Sequence, residues 1–194
     1  RDGEYILCKT TFKEGLSITI SITVSGHGYG SEGAFDYRAE MTRHIVIKTR
    51  SGREFLSMLS HLCKTHGPII ILKVFCHSYP RGLIMTNWSG FYDDPGPEDT
   101  DQAAYISDMA EWVKRGDIAF APNAQIILFG CDLGGSFSLM LSAATGCTVI
   151  AADGGSYPQI AGNQETGVFI STSDWKVYTN GSFAYSAGSI YNAW

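Results

Sequence analysis

The sequence predicts an α/β domain in which helices flank a mostly parallel central sheet. Three runs, at residues 69–76, 124–130 and 147–152, are almost continuously apolar, which is typical of strands buried on both faces of a parallel sheet. Segments with helical spacing alternate with these runs. Strands that alternate with helices indicate βαβ units, and such units build this kind of sheet.

The first third of the chain contributes two further predicted strands. From Leu16 to Val24 every second residue is apolar, which predicts a half-buried strand. The glycine-rich segment 26–33 that follows is predicted to be a loop or a hairpin. Residues 44–49, His-Ile-Val-Ile-Lys-Thr, predict the next strand.

A helix is predicted directly after this strand. Ser51 and Glu54 have the spacing of a capping box, which is typical of a helix start. We expect the helix to run to about His66, because Gly67 and Pro68 stop helices.

Two more helices are predicted between the apolar runs. Residues 101–115 have helical spacing. Five of these residues are expected to face inward: Ala104, Ile106, Met109, Trp112 and Val113. Residues 136–145 predict the second of these helices, with Gly146 as its C-terminal cap. Farther along, residues 168–171 and 175–178 are strand-like.

Composition limits the domain organisation and the partners. The 194 residues, of which 44% are hydrophobic, suffice for one domain with a sizeable core. We expect a single domain over residues 1–194, with a β-rich N-terminal extension at 1–43, a core at 44–180 and a C-terminal tail at 181–194. A net charge of −5 with 17% charged residues does not suit a nucleic-acid-binding surface. Membrane insertion is not expected, because no stretch is apolar over a bilayer's thickness.

The five cysteines are an odd number and include no CxxC pair, so we expect separate thiols and not a disulfide framework. Separate thiols favour a reducing compartment, such as the cytoplasm of a producing or target cell, while the localisation itself stays open. The chain begins with Arg1, and we expect it to belong to a larger polypeptide. No cofactor and no metal is expected, since the acidic loop 93–101 lacks EF-hand spacing and suits a solvated loop better.

Three polar side chains follow directly after the three apolar runs: His77, Cys131 and Asp153. Because the carboxyl ends of parallel strands meet at one edge of a sheet, we expect these residues to share that edge. A thiol becomes a strong nucleophile when a neighbouring imidazole favours the thiolate. The sequence therefore predicts a cysteine–histidine dyad, with Cys131 as nucleophile and His77 as its base.

The other cysteines and histidines have simpler interpretations. Cys63, Cys76 and Cys147 lie within or against apolar elements and are assigned to the core. Structural or solvated roles are assigned to three histidines: His44, His61 and His66. His27 keeps a second interpretation open, because Gly26-His27-Gly28 imitates an active-site turn.

These motifs resemble the caspase-like cysteine peptidases. The cysteine follows the histidine by about 50 residues, which is the caspase spacing. Residues 120–133 end in Phe-Gly-Cys-Asp-Leu, and residues 141–152 read Leu-Ser-Ala-Ala-Thr-Gly-Cys-Thr-Val-Ile-Ala-Ala. Both segments are similar to the second half of bacterial caspase-like domains, including the CHAT peptidases and a related domain of large bacterial surface proteins. The resemblance covers about residues 68–178, and Asp174-Trp175 resembles the family's closing strand.

The resemblance implies a three-layer caspase-like fold and a cysteine endopeptidase that acts on a protein or peptide substrate, for example as a bacterial toxin or effector domain. His77 would act as general base and acid, and Cys131 would attack the carbonyl carbon. The backbone N–H groups of Ser78 and Cys131 would form the oxyanion hole. The chain departs from the family's His-Gly at Ser78, where a side chain can narrow the approach or change the backbone angle.

Two acidic residues are candidates for substrate binding. The family's specificity pockets flank the strand after the nucleophile, which implies that Asp153 and Asp132 select a basic side chain by charge pairing. In the alternative interpretation Asp153 forms a turn and Asp132 caps the helix that begins near Ser136. Two other functions stay open: a catalytically silent binding module, which Ser78 favours, and a dyad enzyme for a non-peptide amide or ester.

Overall fold

The structure is a computed structural model and describes residues 18–194. The first two residues of the strand predicted from Leu16 lie outside this part, as does Cys8. The helices of the described residues are α1 (Glu32–Met41), α2 (Gly52–His66), α3 (Ile106–Arg115) and α4 (Ser136–Thr145). The strands are β1 (Ile20–Gly26), β2 (Ile45–Thr49), β3 (Ile69–Phe75), β4 (Ser78–Tyr79), β5 (Gly82–Leu83), β6 (Phe91–Tyr92), β7 (Ala104–Tyr105), β8 (Phe120–Phe129), β9 (Thr148–Ala152), β10 (Ser156–Ala161), β11 (Gln164–Ser171), β12 (Trp175–Thr179), β13 (Ser182–Ser186) and β14 (Ile190–Asn192).

Seven strands form one large sheet in the order β13-β12-β9-β8-β3-β1-β2. The strands from β9 to β2 are parallel to one another, whereas β12 runs antiparallel to β9 and β13 antiparallel to β12. The protein is therefore α/β, as predicted, but its sheet is mixed, and the prediction of a mostly parallel sheet is wrong. Parallel neighbours need a crossover connection, and after β9 the chain forms β-hairpins and no further helix within the described residues.

Side chains of the central strands alternate between two hydrophobic clusters, one on each face of the large sheet. On one face Leu72 and Val74 of β3 pack with residues of α2, α3 and α4. On the other face Phe75 packs with Phe35 of α1 and Phe169 of β11. Crossover connections between parallel strands are right-handed. The connection through α1 runs outward from β1 to β2, whereas the connections through α2, α3 and α4 run across the sheet in the opposite direction. The helix α1 therefore lies on the opposite face from α2, α3 and α4. The three-layer caspase-like arrangement itself stays a prediction.

We call these the helical face, covered by α2, α3 and α4, and the α1 face, covered by α1 and the three-stranded sheet β10-β11-β14. A third sheet, β4-β5-β6-β7, lies between β3 and α3 in the chain. The segment 181–194, expected as a tail, supplies β13 to the large sheet and β14 to the three-stranded one.

The helix α1 is the element that the sequence did not predict. It begins at Glu32, inside the segment expected to be a loop or hairpin. Only Phe35 and Ala39 of this helix are buried, which is too few for a helical period to stand out. The expected β-rich extension at 1–43 thus contributes, in its described part, one strand inside the large sheet and one helix.

Two other helix starts differ in detail from the expected pattern. Ser51 Oγ accepts a hydrogen bond from the Glu54 N–H, but the Glu54 carboxylate accepts from the Arg50 N–H, so the capping box is displaced by one residue. The helix predicted from residue 101 begins at Ile106, because β7 pairs with β6 just before it. None of the helices within residues 18–194 combines the length and the apolar composition that crossing a membrane requires.

Candidate active site

His77 and Cys131 lie at the carboxyl edge of two neighbouring strands. β3 and β8 are parallel, and Phe75 near the end of β3 is paired with Phe129 at the end of β8. From β1 the chain moves outward to β2 and then returns past β1 to β3, so the strand order reverses between β1 and β3. Open α/β sheets bind their ligands outside the carboxyl ends of the strands at such a switch point.

The two residues line one cavity of about 240 Å³, which we call the thiol cavity. Phe35 and Arg38 of α1 form one part of its wall, and residues of β10 and β11, including Phe169, form another. The cavity therefore opens on the α1 face of the sheet. Among residues 18–194 no hydrogen bond joins the His77 ring to the Cys131 thiol, so the two side chains share a cavity without being hydrogen-bonded to each other.

The His77 ring is held between aromatic side chains. Its centroid lies 5.0 Å from that of Phe35 and 5.5 Å from that of Tyr29, both in edge-to-face geometry. Burial lowers the pKa of His77 below its usual value; the Glu32 carboxylate opposes this change and the Arg38 guanidinium adds to it. A neutral imidazole at pH 7 is the form that can accept a proton from a thiol.

Cys131 is a free, partly exposed thiol whose sulfur accepts a hydrogen bond from the Ser156 N–H at 3.4 Å. This N–H, at the start of β10, brings a partial positive charge to the sulfur. The other described cysteines belong to or pack against the helical-face cluster. Burial raises the pKa of Cys76 to about 12, that of Cys147 to about 11, and that of Cys63 to a lesser degree. The assignment to the core is confirmed for Cys76 and Cys147, whereas Cys63 is partly buried and packs against the core.

Ser78 stands where the caspase-like family usually has glycine, but its backbone does not adopt a conformation that requires glycine. It lies in the extended strand β4, and its φ is outside the left-handed region. Its hydroxyl donates a hydrogen bond of 2.7 Å to the Cys131 carbonyl. The position that requires glycine is instead residue 130, because a Cβ added to Gly130 would lie 2.2 Å from Ser78 Oγ. Serine at this position thus ties the ends of β3 and β8 together.

Two backbone N–H groups beside the thiol remain free of the neighbouring strands. The Ile84 N–H donates to the His77 carbonyl at 2.8 Å, and the alternation of an antiparallel ladder then directs the Ser78 N–H away from β5. The Asp132 N–H donates to Gly154, whereas the Cys131 N–H has no partner among residues 18–194. These are the two groups expected to form an oxyanion hole.

The acidic residues predicted to bind substrate lie outside the thiol cavity. The Asp153 carboxylate is paired with Lys176 Nζ at 2.5 Å, so its charge is already compensated. Asp132 is exposed and has a left-handed backbone with φ 60°. The alternative role for Asp132 as a helix cap is wrong, because the N-cap of α4 is Gly135 and no side chain accepts a hydrogen bond from the first N–H groups of this helix as a cap.

His27 has a structural partner instead of a catalytic one. Its Nε2 lies 2.8 Å from Asp36 Oδ1, and Asp36 also accepts a hydrogen bond of 2.6 Å from Lys48. Burial disfavours the Asp36 carboxylate, but these hydrogen bonds outweigh it and lower its pKa to about 2. The cluster attaches the loop after β1 to α1 and β2, and none of its three residues lines the thiol cavity.

Sequence reasoning missed the α1 side of the site. Arg38 makes a two-point ion pair with Glu165 of β11, with the shortest separation at 2.8 Å. Its guanidinium also lies 5.6 Å from the ring centre of Phe169. The i,i+4 pair of Phe35 and Ala39 is the one sequence signal for this helix.

Comparisons of the chain with protein-family models, with curated proteins and with solved structures find no match. The caspase-like resemblance therefore rests on the motifs of the sequence. Within residues 18–194 no three His, Cys, Asp or Glu side chains come together as a candidate metal site.

Proposed function

We propose that this chain is a cysteine hydrolase with a three-layer caspase-like fold, acting as an endopeptidase through Cys131 and His77. One observation carries the proposal: the two side chains that the sequence assigned to the dyad line a single cavity at the carboxyl edge of adjacent parallel strands. The other cysteines that the structure describes have raised pKa values and lie in or against the helical-face core.

The proposed reaction has two halves. His77 takes the thiol proton of Cys131, the sulfur bonds to the substrate's carbonyl carbon, and the carbonyl electron pair moves onto oxygen. The tetrahedral intermediate then collapses, the C–N bond breaks, and the protonated His77 gives its proton to the departing amine. Water, deprotonated by His77, next attacks the thioester, which releases the acid and restores the thiol.

The backbone around the dyad supports this chemistry. The N–H groups of Ser78 and Cys131 are the proposed donors to the oxyanion, where a single lost donor costs about 10²–10³-fold in rate. The bond from Ser78 Oγ to the Cys131 carbonyl fixes the two donor-bearing segments relative to each other. The absence of a His77–Cys131 hydrogen bond among residues 18–194 does not count against the dyad, because catalytic hydrogen bonds often form only with substrate bound.

The test is cleavage of a proteome-derived peptide library, read by mass spectrometry. Cys131→Ala and His77→Ala are each expected to lower the rate by about 10³-fold or more. Cys63→Ala and His61→Gln are matched controls, since each removes the same chemical group from α2, outside the thiol cavity. If both dyad variants cleave as well as the controls, the proposal fails.

A second candidate function is a catalytically silent binding module of the same fold. The absence of a His77–Cys131 hydrogen bond among the described residues favours it. Iodoacetamide separates the two candidates: labelling of Cys131 well above the rate of glutathione, and slowed by His77→Ala, supports the hydrolase. Labelling at the glutathione rate that is insensitive to His77→Ala supports the binding module.

A further inference from the structure

A second cavity of about 390 Å³ lies beside the thiol cavity. Tyr29, Tyr79, Ile84, Met85 and Trp88 supply most of its lining. We call it the aromatic pocket. Its size falls in the range of small-ligand sites, which are mainly apolar with a few polar groups.

The aromatic pocket is coupled to the candidate active site through Tyr29. This side chain lines the pocket and also packs edge-to-face on the His77 ring at 5.5 Å. Tyr79 lines the pocket and directly follows Ser78, one of the two proposed oxyanion donors. A group bound in the pocket is therefore next to the residues proposed to act on the scissile bond.

The rim of the pocket is built by a strained turn. Asn87 and Trp88 have φ values of 45° and 59°, in the left-handed region, which asparagine tolerates but a bulky residue such as Trp88 rarely occupies. Backbone hydrogen bonds hold the turn in place, from Ser89 to Thr86 and from Thr100 to Trp88. The result is an indole that is 47% exposed at the pocket's edge. Such strain persists where the surrounding structure enforces it, and it concentrates at binding sites.

The loop after β1 closes the other side of the pocket. Gly28 has φ 101°, and an added Cβ would lie 1.9 Å from Thr86 Oγ1. This close approach brings Tyr29, which is 63% exposed, opposite the turn that carries Trp88. Two large aromatic side chains thus face solvent at one opening, where burying them would be favourable.

The charge of the pocket selects among possible occupants. None of its lining residues is charged. Arg81 donates a hydrogen bond to the Tyr79 hydroxyl but is itself paired with Asp93 and Asp99. The Glu32 carboxylate accepts a hydrogen bond from the backbone N–H of Gly28, a lining residue. An Asp or Glu side chain would lose hydration in this pocket without gaining a free counter-charge. A Lys or Arg side chain would lose hydration too, and the carboxylate near the lining, that of Glu32, already accepts the Gly28 N–H. An aromatic or large aliphatic side chain has no comparable hydration to lose.

From these contacts we infer that the aromatic pocket binds an aromatic or large aliphatic side chain of the peptide substrate, at a residue that flanks the scissile bond. The inference rests on the proposed hydrolase function and replaces the basic preference expected from Asp153 and Asp132. Asp153 is paired with Lys176, and neither carboxylate lines the thiol cavity.

Two measurements test the inference. In the cleavage products of the peptide library, Phe, Tyr, Trp, Leu or Met is expected at one flanking position, with kcat/KM on the order of 10-fold or more above an Ala peptide. Trp88→Ala is expected to reduce that ratio, while Tyr185→Ala, which removes an exposed aromatic side chain from β13, leaves it unchanged.

The second measurement does not require catalysis. On the Cys131→Ala variant, N-acetyl-phenylalaninamide is expected to shift the NMR signals of the Met85 methyl and the Trp88 indole N–H, and N-acetyl-lysinamide is not. Adding Trp88→Ala is expected to abolish the Met85 shift, whereas adding Tyr185→Ala preserves it.

The outcomes separate the two proposals. Shifts at Met85 and Trp88 without any cleavage support the pocket and contradict the hydrolase. Cleavage with no preference for an apolar flanking residue, together with no shifts, overturns the pocket and leaves the hydrolase standing. A preference for Lys, Arg, Asp or Glu at both flanking positions also overturns the pocket.

Discussion

The two faces of the large sheet are built in different ways. The helical face is covered by α2, α3 and α4, each of which connects strands that are close in the chain. The α1 face is covered by one short helix and by β10, β11 and β14, and its ties join residues far apart in sequence. Arg38 and Glu165, for example, are separated by 127 positions.

Chemistry is also divided between the faces. Cys76 and Cys147 are buried in the helical-face cluster, and Cys63 packs against it. Cys131 lies in the thiol cavity, whose wall comes from α1, the three-stranded sheet and the ends of β3 and β8. Cys76 also lines this cavity, but it is only 2% exposed. The comparison teaches that the helical face provides the packed core, while the α1 face forms the cavity in which a thiol can react.

Thiol labelling tests the proposed difference between the two faces most directly. In a Cys8→Ala background, iodoacetamide at pH 7.5 is expected to modify Cys131 about 100-fold faster than Cys76 or Cys147. The reason is that burial raises the pKa of the latter two to about 12 and about 11, so few thiolates form, and also blocks access. Peptide mapping of labelled protein over time gives the four rates.

Unfolding the protein in guanidinium provides the control, because all four rates should then converge. Equal labelling of Cys147 and Cys131 in the folded protein would show that the helical face opens as readily as the α1 face. The division between a packed face and a reactive face would then be lost.

The helical face could be predicted because its signals are local. Residues 136–145 were predicted as a helix capped by Gly146, and α4 has these bounds, with Gly146 in the left-handed conformation. Apolar runs likewise located β3, β8 and β9, and hence the strand ends that carry His77 and Cys131. Each of these signals lies within one stretch of chain.

The α1 face could not be predicted because its determinants are not local. In the sequence, Arg38 is one charged residue on a weakly amphipathic helix. Only the fold places Glu165 opposite it. The Ser156 N–H reaches the Cys131 sulfur only through the placement of β10. The same holds for Tyr29, whose contact with His77 depends on the pairing of β1 with β3.

The Arg38–Glu165 pair gives the next largest expected effect. Its side chains are 12% and 14% exposed, so Arg38→Met leaves a largely buried carboxylate without its partner. We expect the free energy of unfolding to fall by about 3 kcal/mol. Arg115→Met is the matched control, because Arg115 pairs with Asp117 at the surface and should cost about 0–1 kcal/mol. Urea denaturation measures both.

The double variant Arg38→Met/Glu165→Met sharpens this prediction. Removing both charges leaves no unpaired group, so its stability is expected to lie closer to that of the unaltered protein than to that of Arg38→Met. If Arg38→Met is no less stable than Arg115→Met, the ion pair does not hold α1 against β11, and the α1 face must be maintained by its aromatic cluster alone.

The smallest expected effect concerns the proton on His77. Burial lowers the pKa of His77 below 6.5, and the Glu32 carboxylate partly offsets this. Glu32→Gln is therefore expected to lower the pKa of His77 further. If His77 is the base, the acid limb of kcat/KM moves to lower pH in this variant. NMR titration of the His77 ring measures the same change directly.

Glu40→Gln is the control, since it neutralises a carboxylate on the same helix that does not contribute to the pKa of His77. Because the pKa of His77 is lowered in the folded protein, the free energy of unfolding also depends on pH. Between the lowered pKa of His77 and 6.5 the unfolded chain binds more protons than the folded protein, so the free energy of unfolding falls as the pH falls through this window. Glu32→Gln widens the window, because it lowers the folded-state pKa and leaves the unfolded one unchanged. An acid limb that stays in place, or moves to higher pH, would separate His77 from the charges of α1 and remove the electrostatic link between that helix and the thiol cavity.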